Sequence, residues 1–186
     1  AIAMRYWGWQ GTQNTIAAVL KPQLRDKNVR WDELVYYVLT HAGWLDALFR
    51  VGGDAGTLER FVSAGIPVII ETGYELNVGW VGHYLVVSGY DRDAEVFTVQ
   101  DVTGGPDRKI SYEKTAALWE QFNHLYVLVF PADKRVEVLR LLGEDEQLDA
   151  NRYRALRRTR AGTEANAENA FAWFTYGSNL NYFGRY

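Results

Sequence analysis

Apolar residues recur with two different periods along the first 130 positions, and with only one after that. Residues 1–8 read as the second half of a helix already under way, ending near Gly8. The chain is therefore expected to begin in the middle of a larger unit. Thr12 is placed to cap a helix over 13–20 that Pro22 stops. Trp31, Leu34, Val35, Val38 and Leu39 fall at i, i+3, i+4, i+7 and i+8, the apolar stripe of a helix over 31–40. His41 in its last turn suits the helix dipole, and Gly43 stops it. Residues 45–51 read as a short strand. Asp54 caps a helix that runs to Ala64 and closes at Gly65.

The period then shortens to two. Residues 67–72 form an apolar, β-branched run of strand length. A glycine- and aromatic-rich loop is expected over 73–82. Two further strands, 83–90 and 95–101, are joined by the polar turn Asp91-Arg92-Asp93-Ala94 and read as a hairpin. Gly104-Gly105-Pro106-Asp107 is a loop by composition, Ser111 caps a helix to about Phe122, and 125–130 is another strand-like run. Helices first, then an antiparallel sheet of about four strands with an inserted helix, predict an α+β fold. From Asp133 onward the pattern is helical only. Helices are expected over 135–142, ended by Gly143, over 148–160 and over 166–186, with Glu144-Asp145-Glu146 as an acidic connector. The resulting organisation is a sheet-bearing domain over 1–131, a linker over 132–149 and a helical segment over 150–186.

Composition narrows the partners. At 186 residues and 48% hydrophobic content the chain has material for a genuine core. A net charge of −3 removes the electrostatic case for nucleic acid. The cluster Arg152, Arg154, Arg157, Arg158 and Arg160 reads as a solvated helix face. No apolar run approaches the roughly 18 residues of a membrane span. There is no cysteine, which excludes disulfides, thiolate metal sites and a thiol nucleophile within these residues. Three scattered histidines form no metal-binding motif, and Gly52-Gly53-Asp54 is too short for a phosphate loop, so no cofactor or metal is expected.

Two residues carry candidate chemistry. His83 opens one strand of the expected hairpin and Asp101 closes the other, so an imidazole and a carboxylate meet at one edge of the sheet. A carboxylate on one ring nitrogen fixes the tautomer and leaves the other nitrogen to take a proton from a thiol. Such a pair is two-thirds of a nucleophilic triad. At such positions a histidine can equally be a loop-edge residue and an aspartate a turn-former. Among many aromatic residues, most of them expected in the core, Trp80 and Tyr84 flank His83 and are candidates to wall a cleft.

The blocks Gly82-His83-Tyr84-Leu85-Val86-Val87-Ser88-Gly89-Tyr90-Asp91 and Phe97-Thr98-Val99-Gln100-Asp101 resemble the His and Asp blocks of papain-like cysteine peptidases of the bacteriocin-processing, double-glycine-leader type. Residues 1–8 resemble the back half of that family's nucleophile helix, and Pro67-Val68-Ile69-Ile70 its central strand. The resemblance implies a papain-like fold, with His83 as general base and Asp101 as its orienter. It also implies amide hydrolysis through a thioester, on peptides with small residues at the cut. The family's nucleophile and oxyanion-hole Gln would both lie before Ala1, so these residues alone are expected to be inactive. The competing expectation is a peptidase-like scaffold for protein binding or self-assembly. Domains of this kind often act at or outside a bacterial cell envelope. At the other end, Ala170-Phe171-Ala172-Trp173-Phe174-Thr175-Tyr176-Gly177, Leu180, Gly184 and Tyr186 resemble the first helix of a tetratricopeptide repeat, which implies a protein-binding or self-associating surface.

Overall fold

The computed structural model describes residues 1–21, 23, 28–77 and 79–185. Pro22 and Tyr186, named above as a helix stop and the end of the repeat pattern, lie outside the described residues. Three helices come first: α1 (Ile2–Tyr6), α2 (Gln13–Leu20) and α3 (Trp31–His41). Strand β1 (Leu45–Arg50), α4 (Ala55–Ser63), β2 (Val68–Leu76), β3 (Gly79–Asp91), β4 (Val96–Asp101) and β5 (Gly105–Ser111) follow. Then come α5 (Tyr112–Glu120), β6 (Tyr126–Pro131), α6 (Arg135–Leu142), α7 (Leu148–Ala165) and α8 (Ala170–Tyr182), with short 3₁₀ turns flanking α6. Among the described residues the strands form one antiparallel sheet of six, in the order β1-β6-β2-β3-β4-β5.

The sheet is covered on both faces, and strand alternation decides which residue serves which face. Leu85 and Val87 of β3, with Tyr126 and Leu128 of β6, join Leu58, Phe61 and Trp119 in one cluster. Val86, Val127 and Val129 point the other way, into a second cluster with Met4, Tyr37 and Val38. Burial on both faces explains why β6 is an unbroken apolar run rather than an alternating one. Thr12, Asp54 and Ser111 each cap the helix that the sequence assigned them, accepting from the amide three residues on.

Four expectations are corrected. The segment expected to be a loop is not one: residues 73–76 and 79–82 form the arms of the long β2–β3 hairpin, with Gly73 paired to Gly82 and Tyr74 to Val81. Glycines that suggested a loop let neighbouring side chains approach instead, since a Cβ at Gly82 would lie 2.8 Å from the Phe122 ring. The Gly-Pro segment at 105–107 is likewise strand; β5 is an edge, where a proline lacking its N–H is tolerated. In α3 the buried stripe runs through Tyr37 and Val38, and Leu39 is exposed. Arg152 is buried, not solvated, its guanidinium 4.9 Å from the Tyr182 ring centroid and 5.8 Å from that of Phe49.

The last two helices form an antiparallel hairpin, because Asn179 reaches Thr159 while Tyr182, further along α8, reaches the earlier Asp149. The pair docks on the sheet domain through amides. Asn151 Oδ1 accepts from Val51 N (3.0 Å) and its Nδ2 donates to Val51 O (2.8 Å), completing the end of β1 as a neighbouring peptide would. Asn123 and Asn179 exchange side-chain hydrogen bonds at 2.9 and 3.1 Å.

Candidate active site

Asp101 ends β4, where the β3–β4 register sets Val86 opposite Gln100. Continuing that register brings His83 and Asp101 onto one face as diagonal neighbours, 18 residues apart in sequence. His83 lies inside β3, four residues after its start, not at the strand's opening as its glycine-rich approach suggested. The two side chains meet: His83 Nε2 is 2.7 Å from Asp101 Oδ1. A carboxylate only accepts, so Nε2 carries the proton. Nδ1 has no hydrogen-bond partner among the described residues, and in the neutral ring it is the free base. The imidazole keeps 24% of its surface exposed, whereas the Asp101 side chain keeps only 2%.

Asp101 is held as an anion. Burial pushes its carboxyl up, but hydrogen bonds from the Thr103 amide, His83 and the Gly104 amide outweigh this and hold it below the ordinary carboxylate range. The Thr103 amide donates to Oδ1 at 2.8 Å, and Arg108 Nη1 lies 2.6 Å from Oδ2. Arg108 was not singled out in the sequence, although it follows Asp101 by seven residues. It sits opposite Val99 in β5, a strand that the Gly-Pro composition concealed. Gly104 makes the arrangement possible: a Cβ there would lie 2.2 Å from Arg108 Nη1 and 2.7 Å from Asp101 Oδ2.

Trp80 and Tyr84, expected beside His83, project from the opposite face of β3, because they stand three residues before it and one after it. The ring that neighbours His83 is Tyr74, edge-on with centroids 6.0 Å apart. Trp80 stacks on Phe122 at 5.0 Å and donates from its indole to Gln121 Oε1 at 2.6 Å. Tyr84 donates to the Val29 carbonyl at 2.9 Å and faces Glu71 across the β2–β3 pair. Burial drives the Glu71 carboxyl up to about 7, with the Tyr84 hydroxyl pulling weakly the other way. Among the described residues, no group of three or more His, Cys, Asp or Glu could hold a metal, and no helix is long and apolar enough to cross a membrane.

The sequence profile of the peptidase C39-like family matches residues 1–127. The chain belongs to that family. This C39-like chain is 20% identical to a Bacillus anthracis protein described as a C39-like peptidase; the match covers 70% of this chain and 84% of that one, with a TM-score of 0.53. It is 16% identical to the N-terminal peptidase C39-like domain of a toxin-secretion ATP-binding protein from Vibrio parahaemolyticus, over 69% and 89% of the two chains, with a TM-score of 0.49. At such identities the first likeness shows the papain-like α+β fold alone. Among curated proteins none matches. The 186 residues contain no cysteine, so they hold no thiol nucleophile and are inactive as a cysteine peptidase on their own.

Proposed function

We propose that this C39-like domain is a scaffold that binds a peptide or protein segment without cutting it. The observation that supports this most is a complete His83–Asp101–Arg108 unit, centred on the buried Asp101 carboxylate, in 186 residues without cysteine. The peptide would lie along the His83 face, beside Tyr74, with paired small residues as its preferred sequence, as in double-glycine leaders. The α8 surface supports a protein-binding role of tetratricopeptide type. Trp173 and Phe174 are exposed, and a Cβ at Gly177 would meet nothing within 4 Å, which leaves room for a further helix. In this reading the organisation 1–131, 132–149 and 150–186 separates the peptide-binding unit from a self-associating helical one. Its place is at or outside a bacterial cell envelope.

A second reading is favoured by one observation, the free Nδ1 of His83. Given a cysteine from outside these 186 residues, that nitrogen would take the thiol proton, Asp101 would stabilise the imidazolium, and the thiolate would attack the scissile carbonyl. Calorimetry with peptides containing Gly-Gly or Gly-Ala, followed by mass spectrometry of the recovered peptide, separates the possibilities. The scaffold reading expects saturable binding and intact peptide. Absence of binding sinks it. Cleavage by the full-length protein, together with its labelling by a thiol-directed electrophile, would replace it with the peptidase reading.

A further inference from the structure

A second cleft, of about 530 Å³, opens where α7 crosses the start of α4. None of its lining residues belongs to the His83 group. Arg60 of α4 and Arg154, Arg157 and Arg158 of α7 face it, together with Asp54 and Asp145. Four guanidinium groups against two carboxylates leave a formal excess of two positive charges, in a chain whose net charge is −3.

The two acids are already committed. Asp54 Oδ1 accepts from the Thr57 amide and the Thr57 hydroxyl, each at 2.7 Å, to cap α4. Asp145 accepts from Asn151 at 2.9 Å and pairs with Arg154. Among the described residues, three arginines have no carboxylate within ion-pair distance. Arg60 donates to the Leu141 carbonyl at 3.0 Å and Arg158 to the Gly53 carbonyl at 2.7 Å. Those bonds orient the guanidinium groups without neutralising them. Arg157 has no partner among the described residues. The excess charge is felt at Asp54. Burial pushes that carboxyl up, but the Thr57 hydrogen bonds and then the fields of Arg158 and Arg60 hold it below the ordinary range.

We propose that this cleft binds a small molecule carrying a diphosphate group, clamped by Arg60 from α4 and by Arg157 and Arg158 from α7. Guanidinium forks match phosphoryl oxygens in pairs, and a diphosphate supplies charge for all three cations. A single carboxylate would bring one negative charge to an excess of two and leave most of the cleft empty. Because α4 belongs to the sheet domain and α7 to the helical hairpin, the ligand also fastens one to the other.

The test uses the intact chain at low salt, with pyrophosphate, ATP and citrate each followed by calorimetry and thermal unfolding. Pyrophosphate and ATP are expected to bind with similar affinity and to raise the unfolding midpoint by roughly 3–5 °C near saturation. Arg157→Glu removes no contact of the fold and relieves repulsion among the arginines, so it should not lower the ligand-free midpoint, yet should weaken pyrophosphate at least about tenfold by reversing a charge at the site. Arg60→Gln, on the other wall, should weaken it as well. No binding of pyrophosphate, or binding indifferent to Arg157→Glu, overturns the proposal. Citrate bound as tightly as pyrophosphate would make the cleft a general anion patch. ATP bound while pyrophosphate is silent would place recognition in the nucleoside. Either result overturns the diphosphate assignment.

Discussion

Asp101 holds His83 on one carboxylate oxygen and Arg108 on the other, and Gly104 leaves the space in which they meet. His83 and Asp101 could be paired from sequence because a four-residue polar turn between two alternating runs fixes which ends come together. Arg108 could not, because its contact depends on β5, and glycine and proline argue against a strand unless the strand is known to be an edge. Two substitutions read the unit energetically. Asp101→Ala leaves a buried hole between two cation-capable side chains and is expected to cost about 2–4 kcal/mol in urea denaturation. Gly104→Ala drives Arg108 off Asp101 and should cost about 1–2 kcal/mol. In a double-mutant cycle, Gly104→Ala added to Arg108→Gln should cost clearly less than Gly104→Ala alone. Full additivity would mean that the glycine serves something other than this ion pair.

At the scale of elements, periodicity located the helices well. The β6 run was legible for the same reason, since six consecutive apolar residues, 125–130, between His124 and Pro131 fit a strand buried on both faces. What periodicity could not show is how α7 and α8 are fastened down. The fastening is polar, and nothing in the spacing of Asn123 and Asn179 announces a partner 56 residues away. Asn123 also has φ of 56°, a left-handed conformation that asparagine tolerates better than most residues. Asn179→Ala therefore leaves the buried Asn123 amide unpaired and should lower stability by about 1–3 kcal/mol. The loss should be local: hydrogen exchange is expected to speed up in α7 and α8 while β2, β3 and β6 keep their protection. Uniform loss of protection would mean that the helical hairpin and the sheet unfold as one unit.

Across the whole molecule, two half-buried titratable groups make stability depend on pH in opposite directions. Burial raises Glu71 to about 7, above its ordinary value of 4.5. The folded protein then holds a proton that the unfolded chain has released, so this contribution is full below pH 4.5 and is lost as pH rises towards 7. His124 lies beside Trp119, ring centroids 5.2 Å apart; burial first, and then the Arg158 charge, lower it to about 4 from 6.5. Its contribution is full above pH 6.5 and is lost as pH falls towards 4. Between about pH 4.5 and 6.5 the two slopes offset each other, so the native protein conceals both. Substitution exposes them. Glu71→Gln should gain on the parent chain as pH rises from 4.5 to 7, by about 1–2 kcal/mol once the partial exposure of Glu71 is allowed for. His124→Asn, chosen because His124 has φ of 48°, should gain as pH falls from 6.5 to 4, by about 2–3 kcal/mol. Urea midpoints taken at half-unit steps of pH decide the matter. A flat difference for Glu71→Gln would place that carboxylate in water, and a flat difference for His124→Asn would do the same for the imidazole. Neither residue stood out in the sequence, because a lone Glu in a strand and a His in a turn acquire their titration behaviour only from what the fold packs over them.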